Sequence, residues 1–269
     1  MDERPAIETE QLTRIFSGSE VPAVDHLDLR VPRGVIFGLL GPNGAGKSTT
    51  IKMLTTLLPP TSGHARVAGF DIERQAPRVR TRIGYVPQLL SADGGLTGRE
   101  NLLLSARLYR VPAGARDRRI ADSLAFMDLE DAADHLVRTY SGGMIRRLEI
   151  AQAMLHEPEV LFLDEPTIGL DPVARRAVWE RLRELKRRSA TTILLTTHDM
   201  EEADALCDTL AIMHQGLVAL AGAPAALKAT LGTDATLEDV FIATVGGSIE
   251  EGGSYRDVRR ARNTAHRLG

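Results

Sequence analysis

Eight residues, GPNGAGKS at 41–48, place three glycines, a lysine and a serine at the spacing G-x-x-x-x-G-K-S. Glycines permit positive φ and let a ligand approach the backbone closely. A run of N–H groups at the start of a helix then faces an anion. Gly41, Pro42, Asn43, Gly44, Ala45 and Gly46 form such a cradle for phosphates. The motif predicts that Lys47 would reach the β- and γ-phosphates, Ser48 would bind Mg²⁺, and Thr49 would add a hydroxyl near the α-phosphate. A second acidic stretch, EVLFLDEP at 159–166, ends an apolar run with two carboxylates. Asp164 suits the Mg²⁺ shell. Glu165 diverges from it and, ionised at neutral pH, is a base for an attacking water. His198 ends another apolar run, LLTTH, at a strand end where its imidazole is placed to contact a γ-phosphate. Gln88 ends YVPQ and approaches the metal or the water from a third side.

These residues need a scaffold that brings four distant segments together. The short runs AIETEQLTRIF and AVDHLDLRV read as an antiparallel β region, and GVIFGLL as a buried strand leading into the cradle. IKMLTTLL reads as a helix stopped by Pro59 and Pro60. RIGYVPQ, EVLFLD and TTILLTTH read as further strands, with a charged helix, PVARRAVWERLRELKRRS, between the last two. Strands alternating with crossover helices imply a parallel sheet. From about 89 to 157 the pattern is helical and interrupts that alternation, so it reads as an inserted subdomain. A hairpin is expected around Gln215-Gly216. From residue 246 onward a Gly/Ser-rich linker leads into a tail with five arginines and one aspartate at 255–269.

The motifs, in this order, resemble the ATP-binding cassette (ABC) ATPases over about residues 5–245. GPNGAGKST is similar to their Walker A, YVPQ to the Q-loop, YSGGM to the signature, VLFLDE to Walker B with its glutamate, IGLD to the D-loop and TTH to the switch histidine. The resemblance implies an α/β fold: a P-loop NTPase (RecA-like) parallel-sheet core with an N-terminal antiparallel β subdomain and an inserted α-helical subdomain. It implies a 1–245 ATP-binding domain, with 246–269 as linker and basic tail. It also implies ATP and Mg²⁺ as ligands, with hydrolysis catalysed by Glu165, His198, Gln88 and Lys47. Further nucleotide contacts carried over are Phe16 with Val24 for the base, Asp171 of the D-loop, and Tyr140, Ser141, Gly142, Gly143 and Met144 of the signature.

In the family, the signature grips ATP held by a second subunit, so the expectation is a homodimer sharing two nucleotides. Ser141 to Gly143 open a predicted helix, which makes a second anion-binding N-terminus. Tyr140 and Met144 depart from the common LSGGQ pattern. Together with TLEDVFIATVG at 236–246, they resemble a bacterial branch associated with daunorubicin-type drug efflux.

Bulk properties bound the rest. The chain has 269 residues, 43% of them apolar, and a net charge of −3, which indicates no bulk attraction to nucleic acid. Cys207 is the one cysteine, so no internal disulfide forms. The N-terminus has no secretory pattern. No apolar run approaches the ~20 residues that span a bilayer. A place at the cytoplasmic face of the membrane therefore has to come through a separate integral membrane subunit. The alternatives are a soluble ABC ATPase acting on ribosomes or nucleic acid, and a small-molecule kinase using the same phosphate loop.

Overall fold

A computed structural model describes residues 4–250, with side chains as far as 246. Strands β1 (Ile7–Arg14), β2 (Val24–Val31), β4 (Ser62–Val67) and β5 (Phe70–Asp71) form an antiparallel sheet in the order β2-β1-β4-β5. A six-stranded sheet runs β10-β9-β3-β8-β7-β6. Its members are β3 (Ile36–Leu40), β6 (Ile83–Val86), β7 (Val160–Asp164), β8 (Thr192–Thr197), β9 (Thr209–His214) and β10 (Leu217–Gly222). All its pairings are parallel except the β9–β10 hairpin at the edge.

The central strands read as continuous apolar runs because both faces of this sheet are covered. Side chains alternate between the faces. Ile36 and Leu40, Leu161 and Leu163, and Ile193 and Leu195 enter one core. Phe37 and Leu39, Val160 and Phe162, and Leu194 enter the other. That second core also takes Ile51, Met53 and Leu54 of α1 (Lys47–Leu54) and the inner face of the antiparallel sheet.

Strands β6 and β7 are adjacent and parallel, so everything between them is one crossover. This crossover holds α3 (Gly98–Leu108), α4 (Ala113–Phe126), a 3₁₀ turn (Val137–Thr139) and α5 (Gly142–Met154). Thr97 starts α3 with a capping box: its hydroxyl accepts from the Glu100 N–H and the Glu100 carboxylate accepts from the Thr97 N–H. Helices α6 (Pro172–Arg188) and α7 (Met200–Leu206) complete the crossovers around β8.

Strands β4 and β5 and the short helices α2 (Ala76–Arg80) and α8 (Pro224–Ala229) are additions to the sequence reading. In β4 only Ala65 and Val67 are buried, too little apolar content to announce a strand. The linker expected from residue 246 starts inside a helix, because α9 runs from Leu237 to Glu250. Thr236 caps it, its hydroxyl accepting from the Asp239 N–H while Asp239 accepts from the Thr236 N–H. Leu237, Val240 and Val245 then bury against the core, and this packing carries the helix through Gly246 despite a cost of roughly 1 kcal/mol per glycine. The basic tail at 255–269 lies outside the described residues.

Candidate ATP site

The site forms at the carboxyl ends of β3, β7 and β8, where open parallel sheets hold their ligands. Register aligns these ends: Leu40 pairs with Thr197, and Asp164 with Thr196. The loop after β3 leads directly into α1, whose N-cap is Gly46 at φ 103°. A Cβ on Gly46 would lie 2.4 Å from the Ala23 carbonyl oxygen, and one on Gly41 2.3 Å from that of Met213. Gly46 is therefore fixed by close packing as well as by φ, Gly41 by close packing, and Gly44 by its φ of 81°. Residues 42–49 line a cleft of about 270 Å³ together with Ala23, Gln88 and Glu165.

Lys47 is 5% exposed. Its Nζ donates to the Gly41 carbonyl oxygen at 2.7 Å and the Pro42 carbonyl oxygen at 3.2 Å, and lies 3.3 Å from Glu165 Oε1. Ser48 Oγ donates to Asp164 Oδ1 at 2.8 Å. Glu165 is almost fully buried and adopts φ 52°, a conformation that costs a side-chain-bearing residue about 1–3 kcal/mol. Its N–H is held by Thr196 Oγ1 at 3.0 Å. His198 Nδ1 lies 2.7 Å from Glu165 Oε2, within hydrogen-bonding distance of the carboxyl group.

Thr196 was not anticipated. Its hydroxyl donates to Asp164 Oδ1 at 2.7 Å while accepting from the Glu165 N–H, so one side chain orients both acidic residues. The sequence gives no way to tell it from an ordinary strand-forming threonine. Glu202 is a second addition. Fully buried on α7, it accepts from Thr167 Oγ1 at 2.6 Å and from the Trp179 indole N–H at 3.0 Å. It thereby ties the turn after Glu165 to α6. Burial raises its carboxyl above the ordinary glutamate value, against the lowering effect of these hydrogen bonds.

The structure brings Lys47, Ser48, Asp164, Glu165, His198 and Gln88 together, and assigns other anticipated residues differently. Val24 is completely buried under Gly46, so it braces the loop and offers no surface to a base. Phe16 is 43% exposed, with the Arg14 guanidinium 5.0 Å above its ring. Tyr140 points inward: it is 8% exposed and its hydroxyl donates to the Ala132 carbonyl oxygen at 2.5 Å, under Gly98. Its role here is packing, not ligand contact. The Asp171 carboxylate N-caps α6, accepting from the N–H groups of Val173 and Ala174. Ser141 Oγ accepts from the Met144 N–H at 3.2 Å and so N-caps α5. Ser141 and Gly142 are exposed, Gly143 is buried against Ala174, and Met144 packs partly into the core. None of residues 140–144 lines the cleft around Lys47.

Residues 24–168 match the family model described as ABC transporter. The chain belongs to that family. The daunorubicin/doxorubicin resistance ATP-binding protein DrrA of Streptomyces peucetius is 48% identical over 229 residues, which is 85% of this chain and 68% of that protein. The Nod factor export ATP-binding protein I of Paraburkholderia xenovorans is 46% identical over 225 residues, 84% of this chain and 73% of that protein. A dimeric ATP-binding cassette, solved in a post-hydrolysis state bound to ADP and Pi, superposes with a TM-score of 0.72 at 25% identity, covering 81% of this chain and 98% of its own. The chain is accordingly an ATP-binding, ATP-hydrolysing ABC transporter subunit on the family's P-loop NTPase fold.

Proposed function

We propose that this chain energises an exporter of drugs or other hydrophobic compounds, as two copies that enclose two ATP molecules beside a separate membrane subunit. The observation that carries the shared site is the position of Ser141 and Gly142: an exposed helix N-terminus, built to face an anion, outside the cleft that holds Lys47. The dimeric state of the solved cassette bound to ADP and Pi supports two copies. The Streptomyces relative is a drug-resistance protein and supports the class of cargo.

Lys47 is nearly buried and compensated by two loop carbonyls and one carboxylate. A polyphosphate competes for that charge, and Lys47 turning to it frees Glu165 Oε1 to accept a proton from the attacking water. His198 keeps the other carboxylate oxygen fixed. Ser48 and Asp164 supply hard oxygen donors 2.8 Å apart, a set that fits Mg²⁺. Bound there, the metal would neutralise charge on the phosphates. Phe16 would offer the free face of its ring to the base.

Among the described residues, no helix is long and apolar enough to cross a membrane. The membrane subunit would dock on a groove of about 320 Å³ floored by Val86 and Gln152 and rimmed by Leu108 and Tyr109. Leu89, Leu90 and Leu104 add further exposed apolar surface in the same α-helical region, and Leu108 itself is 72% exposed. The test is co-expression with a polytopic membrane protein encoded beside this chain, followed by fractionation and efflux of a planar amphiphilic drug. The chain should sediment with the membrane and support ATP-dependent efflux, and Leu108→Glu should release it. Sedimentation with ribosomes instead would overturn the proposal.

A further inference from the structure

Helix α5 carries two charges in its middle, Arg146 and Glu149, both with side chains 2% exposed. Charged residues are almost never fully buried unless paired. An apolar pair of the same volume would often serve stability equally well. Here the pair is also incompletely satisfied: Arg146 Nε and Glu149 Oε2 have no hydrogen-bond partner, although one guanidinium nitrogen lies 3.1 Å from Glu149 Oε2.

What the pair holds is the segment after β6. Arg146 donates through one terminal nitrogen to the Pro87 carbonyl oxygen at 2.7 Å, and through the other to the Gln88 carbonyl oxygen at 2.8 Å. Glu149 Oε1 accepts from the Ser91 N–H, from Ser91 Oγ at 3.1 Å and from the Ala92 N–H at 3.3 Å. One helix thus grips both ends of residues 87–92. Gln88, at the near end, lines the ATP cleft, while Ser91 and Glu149, at the far end, line the groove. The N-terminus of the same helix is Ser141 to Gly143.

We propose that Arg146 and Glu149 are positioning residues, acting through Gln88, that lock residues 87–92 to α5 so that Gln88 and the Ser141–Gly143 tip keep a fixed mutual placement. Neither touches substrate. Arg146 sets how far Gln88 reaches into the cleft. Glu149 anchors the groove end and balances the guanidinium. The inference rests on the ATPase activity of the cleft and is independent of the cargo.

The test uses the purified full chain with MgATP, reading kcat, KM, affinity for a fluorescent ATP analogue and the melting temperature. Misplacing a group at a reacting centre by about 1 Å can cost on the order of 10²-fold. Arg146→Met, which fills similar volume without charge, should lower kcat about tenfold with KM and analogue affinity changed less than about twofold. In a Gln88→Ala background the same substitution should cost nothing further, because its effect passes through Gln88. A purely structural role predicts independent losses that multiply, with a lowered melting temperature in both backgrounds. Glu149→Gln, which keeps an acceptor oxygen and removes the charge, is read in the same cycle and substitutes if Arg146→Met does not fold. Wild-type kcat in a folded variant, or multiplying losses, would overturn the proposal.

Discussion

Two helix N-termini in this molecule could each bind a phosphate, and they are built in opposite ways. At α1, Gly46 caps with no side chain, the loop is wedged against Ala23 and Met213, and a buried ammonium and carboxylate already lie opposite one another. At α5, Ser141 spends its hydroxyl on the helix itself, and Ser141 and Gly142 are exposed, outside the cleft that holds Lys47. The first is a complete half-site, pre-organised within one chain. The second is an exposed helix tip, which in the proposed dimer would meet a ligand brought by the partner copy. Under the proposed shared pocket, the same anion-binding device would work in cis in one place and in trans in the other.

The largest effect should separate chemistry from binding inside the first half-site. Glu165→Gln should cut hydrolysis by about 10²–10⁴-fold while ATP affinity stays within a few-fold. Single-turnover assays beside equilibrium binding measure both, and near-normal turnover would remove Glu165 as the base. The second half-site should show the reverse pattern. Gly142→Asp places a negative charge where a partner's phosphate would sit, and its Cβ meets only the mobile end of Leu170, at 3.3 Å. Hydrolysis and ATP-dependent dimerisation should fall by more than about tenfold, with single-chain ATP affinity unchanged. An acidic residue in the first turn favours the helix by about 0.3–1 kcal/mol, so the melting temperature should hold or rise. Gly143 cannot be used in this way, since a Cβ there would lie 2.7 Å from that of Ala174.

How far these two regions could be read from the sequence differs for a physical reason. The cis half-site rests on local grammar: glycines at fixed intervals, a strand before and a helix after, acids and a histidine at strand ends. All of that survives in one dimension. Thr196, which orders both acidic residues, and Glu202, which braces the turn behind them, act through contacts across 30 or more residues and look ordinary in their own segments. Tyr140 and Val24 fail for the opposite reason. Their positions match a pattern, but neighbouring packing turns them inward. The antiparallel strand β4 has little apolar periodicity of its own and is sustained by its neighbours, whereas α9 has Leu237, Val240, Phe241 and Val245 at helical spacing, and its glycines at 246 and 247 are what read as a linker.

The smallest effect concerns that bracing. Glu202 has its carboxyl raised by burial, so the folded state favours its protonated form. Such a group binds more protons folded than unfolded above the ordinary glutamate value, and its contribution to stability is lost as pH rises through that window. Glu202→Gln keeps an acceptor for Thr167 and Trp179 without the ionisation. Wild type minus variant, followed by chemical denaturation, should therefore decline as pH rises above the ordinary glutamate value of about 4.5. A flat difference would mean that the charge is fully compensated where it sits.

The shared pocket itself is tested most directly by mixing two inactive proteins, one carrying Lys47→Ala and the other Gly142→Asp. In the mixed dimer, one pocket combines both defects, and the other joins an intact lysine loop to an intact Ser141–Gly143 tip. Mixing should restore ATP hydrolysis to a substantial fraction of wild type. If each chain instead completed its own pocket, every pocket would carry one defect and the mixture would stay as inactive as its components.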